Sequence, residues 1–244
     1  MSLVYCHLQT IDSTNAYLQR MQPEADIRNL VVSTDEQTAG KGMGSNGWES
    51  EARKNLTFSL ALDMSFMPAE RQFLLSEAVP LGIVKVLDSF LSVEKLFIKW
   101  PNDIYYDGHK LAGILINSTI KANMMDTSII GIGLNVNQMK FQDWPTHPIS
   151  LKQITGMDYA LQPLLEQIAE SVAAEVERLK KNSPAIEQDY LSRLFRYRTW
   201  ANYQVGEKTL RLLMTGIDPF GRLLLADETN KPYCFDIKEI KFVL

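Results

Sequence analysis

Four short segments of this 244-residue chain carry residue types that could do chemistry together. The densest is Gln37-Thr-Ala-Gly-Lys-Gly-Met-Gly-Ser-Asn-Gly-Trp48, where Gly40, Gly42, Gly44 and Gly47 fall within eight residues around Lys41. Backbone this rich in glycine can approach an anion closely and aim several N–H groups at it, and a lysine adds charge. The same residues would equally make a flexible surface connection, and neither GxxxxGK[ST] nor a dinucleotide fingerprint is present. In Lys99-Trp-Pro-Asn-Asp103, Pro101 ends regular pairing and leaves Asn102 and Asp103 at a strand end. There they either face a ligand or form an Asx-type turn. Tyr105-Tyr-Asp-Gly108 reads as a hairpin turn that folds Lys110 back beside that corner. A cation and a carboxylate meeting there make either an exposed salt bridge or an acyl-phosphate site with a metal ligand. Gly113, and the glycines of Gly131-Ile-Gly-Leu-Asn135-Val-Asn137, mark places of close approach within strands. The asparagines cap a turn or bind a ligand.

The elements that must position these residues follow from periodicity. Strand-like runs cover Val4–Ile11, Leu30–Thr34, Leu56–Leu62, Leu96–Trp100, Leu111–Ser118 and Ser128–Val136. Asp12, Ser13 or Thr14 caps a helix through Tyr17, Leu18 and Met21 that stops before Pro23. A long buried helix follows Pro68, kinked or divided at Pro80. Leu164, Leu165, Ile168, Val172, Val176 and Leu179 draw one apolar stripe along a surface helix from Leu161 to Lys181, and another helix follows Pro184. From Tyr197 onward short strands alternate with turns at Gly206, Asp218–Gly221 and Asp227–Asn230, which predicts a small antiparallel barrel.

Composition narrows the function classes. Hydrophobic residues make up 45% and charged residues 22%, the balance of a globular protein rather than a disordered chain. With 25 Lys+Arg against 29 Asp+Glu, the net charge of -4 argues against bulk electrostatic binding to nucleic acid. Cys6, Cys234 and the three histidines make no zinc-like cluster. The N-terminal residues lack a leader pattern and no run is long enough for a membrane helix, so a cytoplasmic location with no membrane partner is expected.

Taken in order, Asp12-Ser-Thr-Asn15, Gln37–Trp48, Lys99-Trp-Pro-Asn-Asp103, Lys110-Leu-Ala-Gly-Ile114 and Gly131-Ile-Gly-Leu-Asn135 resemble the signature of biotin–protein ligases, or biotin–[acetyl-CoA-carboxylase] ligases. The Lys99 and Lys110 motifs are the specific pair, and the resemblance extends over essentially the whole chain. It implies an α+β fold: a mixed sheet with helices, of the class II synthetase-like ligase kind, followed by a small SH3-like β-barrel. Residues 1–196 would form the biotin/ATP-binding catalytic domain and residues 197–244 the barrel. The implied enzyme uses Mg²⁺ and ATP to convert biotin to biotinyl-5′-AMP, then transfers biotin to a lysine of a biotin carboxyl carrier protein.

By matching motif, Lys110, Asp103 and Lys41 are implied as catalytic, with Asp103 also near magnesium. Biotin would be held by Ser13, Thr14, Gln37, Gly40, Lys41, Lys110, Gly113 and Gly131. The nucleotide would meet Lys41, Gly42, Met43, Trp48, Asn102 and Asn135. The family's loop commonly reads Gly-Arg-Gly-Arg-x-Gly-Arg-x-Trp, and here Lys41, Met43 and Asn46 replace its arginines. A first strand near Val4 predicts the monofunctional type without an N-terminal DNA-binding domain, hence no DNA partner. The resemblance leaves a homodimer open, because many relatives pair edge to edge. Near the C-terminus, the customary Gly-Glu-Val strand appears as Phe235-Asp-Ile-Lys. Two rivals stand beside this expectation. A lipoate–protein ligase shares fold and chemistry, but its arginine and glycine-triplet signature is missing. A non-catalytic biotin- or adenylate-binding regulator is opposed by the retention of Lys110 and Asp103.

Overall fold

The computed structural model describes residues 2–44, 46–142 and 146–243. Its larger sheet has seven strands: β1 (Val4–Ile11), β2 (Leu30–Gln37), β3 (Leu56–Asp63), β4 (Leu96–Lys99), β5 (Asp103–Tyr106), β6 (His109–Lys121) and β7 (Met124–Leu134). They lie in the order β1-β2-β3-β7-β6-β5-β4, with β1 parallel to β2 and every other pair antiparallel. Tyr105 and Tyr106 belong to β5 rather than to the turn. The reversal is made by Asp107 and Gly108, both at positive φ (49° and 83°), the geometry that suits the twist of a tight hairpin.

Alternation along these strands sorts side chains onto two faces. Even-numbered residues such as Phe58, Leu60, Ile98, Ile104, Ile130 and Ile132 enter the main core. Helix α2 (Phe73–Leu87), helix α4 (Leu161–Lys181) and helix α5 (Ser183–Arg193) cover that face. The α4 stripe is buried at all six expected positions. Gly82 of α2 lets α4 come close, since a Cβ there would lie 2.6 Å from Val172 Cα. Pro80 neither divides nor ends α2, which runs unbroken after a 3₁₀ turn at Ala69–Arg71. Glu175, which the periodicity puts on the polar side of α4, is buried and bonds Lys85 of α2 at 2.5 Å and Arg178 at 2.7 Å.

On the opposite face, helix α1 (Thr14–Met21) packs Leu18 against Val32, Ala61 and Ile129. Ser13 caps it, its hydroxyl accepting from Ala16 N at 3.5 Å. A short helix α3 (Leu151–Thr155), absent from the expected elements, is closed by a Ser150–Gln153 capping box.

The C-terminal part is a second antiparallel sheet of β8 (Trp200–Val205), β9 (Lys208–Ile217), β10 (Leu223–Ala226), β11 (Pro232–Phe235) and β12 (Ile240–Phe242). Its order is β11-β10-β9-β8-β12, the small antiparallel unit expected from sequence, with no ladder between the edge strands β11 and β12 among the described residues. In the turn that joins those two strands, Glu239 N donates to Asp236 O and Asp236 N to Glu239 Oε2. Tyr203, Leu212, Met214, Leu223, Leu225 and Ile240 join the main core. Trp100 Nε1 donates to Gly221 O at 2.8 Å, tying the second sheet to the end of β4.

Candidate active site

The odd-numbered face of the larger sheet, beside α1, holds a cavity of about 480 Å³. Register builds its floor. Lys99, Asp103, Gly113, Gly133 and Thr57 are successive cross-strand partners in one row over β4, β5, β6, β7 and β3, and Leu115, Gly131 and Ser59 form the next row. Lys110 has the wrong parity for this face. A bulge corrects it: consecutive Ile104 and Tyr105 pair with Ala112 and Lys110, so Leu111 is the extra residue and turns into the core.

The re-aimed Lys110 reaches Asp103, Nζ to Oδ1 2.7 Å, with both side chains largely buried. Its backbone is held from two directions. Lys110 O accepts from Ile149 N at 2.9 Å and from Asn135 Nδ2 at 3.3 Å, and Lys110 N donates toward His147 O at 3.2 Å. Asn102 braces the same corner, its amide donating to Ile114 O while Ile114 N donates back to Asn102 O. The Trp100–Pro101 peptide before it is cis.

At the other end lie neutral polar groups. Thr14 N and Oγ1 both donate to Gln37 Oε1, at 2.9 and 3.2 Å, and Thr14 Oγ1 meets Ser59 Oγ at 2.8 Å. Asn15 Nδ2 donates to Leu115 O, which leaves its buried Oδ1 without a partner among the described residues. A buried acceptor in that state costs about 1–3 kcal/mol until a donor meets it.

Between the two ends lies Trp48. The glycine-rich loop folds on itself through Gly42 N to Asn46 O and Trp48 N to Gly40 O, and its Ser45 lies outside the described residues. The indole rests on the Gly113–Gly133 pair: a Cβ at Gly133 would lie 2.3 Å from Trp48 Cε2, and one at Gly113 3.1 Å from Trp48 Cζ3. At Gly131 a Cβ would lie 2.7 Å from Asn15 Nδ2. Close approach at these glycines is thus real, but the groups that approach are the protein's own. Trp48 Nε1 is buried with no partner among the described residues, and Lys110 Nζ lies 5.8 Å from the ring centre.

Among the expected contact residues, Ser13, Thr14, Gln37, Lys41, Gly42, Met43, Trp48, Asn102, Asp103, Lys110, Gly113 and Gly131 line the cavity. Gly40 and Asn135 do not. Gly40 closes the base of the loop, where a Cβ would lie 2.5 Å from Trp48 O. Asn135 is 2% exposed and donates to Lys110 O and Ile149 O, behind the wall rather than in it.

The cavity also contains Asn15, Thr57, Ser59, Lys99, Lys241 and Phe242, none of them singled out from sequence as a contact. Thr57 and Ser59 had a signal, polar residues at alternate positions of an otherwise apolar strand. Lys99 sat inside a recognised motif. Its ammonium lies 4.9 Å from the ring centres of both Tyr105 and Phe242. Burial pulls its pKa below the ordinary lysine value; Asp103 opposes this, and Lys110 and Arg196 reinforce it. Lys241 and Phe242 had no local signal at all.

Among the described residues, four lysines and one carboxylate therefore line this cavity in a chain of net charge -4. A cavity that is neutral and polar at one end and cationic at the other suits an elongated ligand with an anionic portion, the requirement of a carboxylate-activating ligase. Residues 7–135 match the sequence model of the biotin/lipoate A/B protein ligase family, and the chain belongs to that family.

Individual relatives agree. The bifunctional ligase/repressor BirA of Escherichia coli is 30% identical over 233 residues, covering 93% of this chain and 70% of that protein. A biotin–[acetyl-CoA-carboxylase] ligase of Mycobacterium tuberculosis is 27% identical over 217 residues, covering 87% of this chain and 79% of that protein. Among solved structures, the biotin protein ligase from Aquifex aeolicus in complex with biotin and ATP superposes with a TM-score of 0.77 at 22% identity, covering 97% of each chain, which shows the shared fold. No helix of the described residues is long and apolar enough to cross a membrane.

Proposed function

We propose that this chain is a biotin–protein ligase that activates biotin with ATP and transfers it to a lysine of a biotin carboxyl carrier protein. The observation that carries this reading is the Lys110–Asp103 pair, 2.7 Å apart, standing between a neutral polar pocket and a cluster of lysines. In the first step a biotin carboxylate oxygen bonds to the α-phosphorus of ATP and the bond to the leaving pyrophosphate breaks. Two anions must meet for this, so fixed cations do most of the work, and Lys110 and Lys41 neutralise the carboxylate and the phosphates. In the second step the carrier lysine nitrogen attacks the acyl carbon, AMP leaves with the bonding pair, and the nitrogen loses a proton. Asp103 orients the incoming amine.

Magnesium would neutralise phosphate charge. The described residues contain no group of three metal-ligating side chains, and Asp103 is the one carboxylate among the described residues lining the cavity, already bonded to Lys110. This donor set does not make a resident magnesium site, so Mg²⁺ belongs to the nucleotide substrate and no step is assigned to it.

The neutral end favours biotin over lipoate. A ureido ring carries N–H donors for the buried Asn15 Oδ1 and a carbonyl for donors around Thr14 and Gln37. A dithiolane ring has neither and would leave Asn15 unpaired. The same reading assigns residues 1–196 to catalysis and residues 197–244 to a smaller unit that contributes to the cavity. The test is transfer of labelled biotin to a carrier domain, with biotin and lipoate compared in ATP–pyrophosphate exchange. Exchange with biotin alone is expected. Exchange with lipoate alone, or with neither, overturns the reading.

A further inference from the structure

Two exposed histidines, far apart in sequence, come together beside Lys110. The rings of His109 and His147 stand 6.4 Å apart, centre to centre, with their planes at 67°. His109 opens β6, directly after the hairpin turn. Its Nδ1 lies 2.9 Å from Asp107 O, and a carbonyl only accepts, so Nδ1 carries the proton and Nε2 keeps its lone pair. Metal-binding histidines are oriented in this way, by a carbonyl or carboxylate on the other ring nitrogen. The Asp107 carbonyl is itself fixed by the hairpin, where Asp107 and Gly108 both take positive φ.

His147 arrives from the segment before α3, at φ 45°, and its carbonyl accepts from Lys110 N at 3.2 Å. Pro148 pairs with Lys110, and Ile149 N donates to Lys110 O at 2.9 Å. Backbone bonds thus lay this segment along the start of β6, and its Thr146 lines the cavity. A zinc ion sits about 2.0–2.1 Å from an imidazole nitrogen, hence about 3.2 Å from the ring centre. Two rings that share an ion therefore stand up to about twice that apart, which is the separation found here. A small rotation of the exposed rings brings them to a tetrahedral angle.

We propose that His109 and His147 bind one exchangeable divalent transition ion of the zinc class, with water completing its shell. The ion acts as a clasp that joins β6 to the segment 146–149 and stiffens the cavity wall beside Lys110. Imidazole donors suit zinc, copper and nickel, whereas magnesium prefers oxygen, so this ion is distinct from the one the nucleotide brings. The site needs only the two imidazoles and does not rest on the ligase reading.

The test is zinc chloride titrated by calorimetry into the intact, untagged chain and into His109→Gln, His147→Asn and the double variant. Asparagine tolerates the positive φ at position 147. Each single substitution should weaken zinc binding at least about tenfold, since losing a ligand costs no less than losing its outer partner. Excess magnesium should not compete. Hydrogen exchange at the Ile149 amide should slow about fivefold when the wild type takes up zinc, and should not respond in the double variant. A double variant that binds zinc within twofold of wild type overturns the site, as does competition by magnesium or a wild-type chain that takes up no zinc. An Ile149 amide indifferent to bound zinc overturns the clasp.

Discussion

The corner formed by β4, β5 and β6 and the glycine-rich loop face the same cavity but are built on opposite terms. At the corner every functional group is over-determined. Lys110 is aimed by a bulge, its carbonyl is held by Ile149 N and the Asn135 amide, and its ammonium meets Asp103. Asn102 locks the strand end to Ile114 from both side chain and backbone. In the loop, the anchor is one indole seated on two glycines, and the rest is a few backbone bonds around exposed Lys41, Gly44 and Asn46. A rigid sheet can hold charges where bonds are made and broken, whereas a loop with few buried contacts can open and close over a ligand. Chemistry should therefore depend on the corner, and retention of the nucleotide on the loop and what leans on it.

The comparison can be broken most severely at Lys110. Lys110→Ala should lower biotin-dependent pyrophosphate exchange by about a thousandfold, the scale of losing one fixed group that stabilises developing charge, without a change in melting temperature. Retention of more than a tenth of the activity would mean that the loop, not the corner, supplies the essential charge. Next in size is Gly133→Ala, which puts a methyl where Trp48 sits. We expect Trp48 to leave its seat, seen as a red shift in tryptophan emission, with the KM for ATP up about tenfold. Unchanged emission would show that the indole does not anchor the loop.

Met43→Arg sharpens the comparison from the other side. It adds a cation to the loop and should slow the release of preformed biotinyl-adenylate by about fivefold, as an exposed charged contact allows, leaving the rate of its formation alone. An identical release rate would remove the idea that the loop retains the nucleotide by charge. The smallest effect belongs to Lys99, whose ammonium burial makes easier to deprotonate than an ordinary lysine. Its charge is present below the depressed pKa and lost as pH rises through it, so ATP affinity should weaken toward alkaline pH earlier than a normal lysine would dictate. Lys99→Arg stays charged and should flatten that alkaline limb while matching wild type near neutrality. Parallel limbs in the two proteins would assign the titration to another group.

Legibility in the sequence followed the range of each interaction. The α4 stripe was readable because six apolar residues at helical spacing need only one face to pack against, and the structure buries all six. A cap among Asp12, Ser13 and Thr14 was readable because capping bonds reach only a few residues, and the structure selects Ser13, whose hydroxyl accepts from Ala16 N. Of the kink or division expected at Pro80, the division does not occur, because α2 is buried on nearly every side and tertiary packing outweighs the missing hydrogen bond. Asn135, expected at the nucleotide, bonds Lys110 and Ile149, and that could be seen only once β6 and the segment before α3 lay beside the end of β7. The small C-terminal unit was readable as short antiparallel strands, but which strands end at its edges depends on the fold.

By itself the sequence determined which residues could do chemistry and which strands and helices would carry them, since periodicity and capping depend on near neighbours. Tertiary structure alone decided that Lys99, Asp103, Gly113, Gly133 and Thr57 stand in one row, because register is set between strands far apart in the chain. It also decided that Lys110 turns onto that face through a bulge, and that Lys238 reaches the loop and Lys241 the cavity from the far end of the chain. Nothing local marks such residues, because only folding brings Lys238 beside Gly44 and Lys241 to the cavity wall.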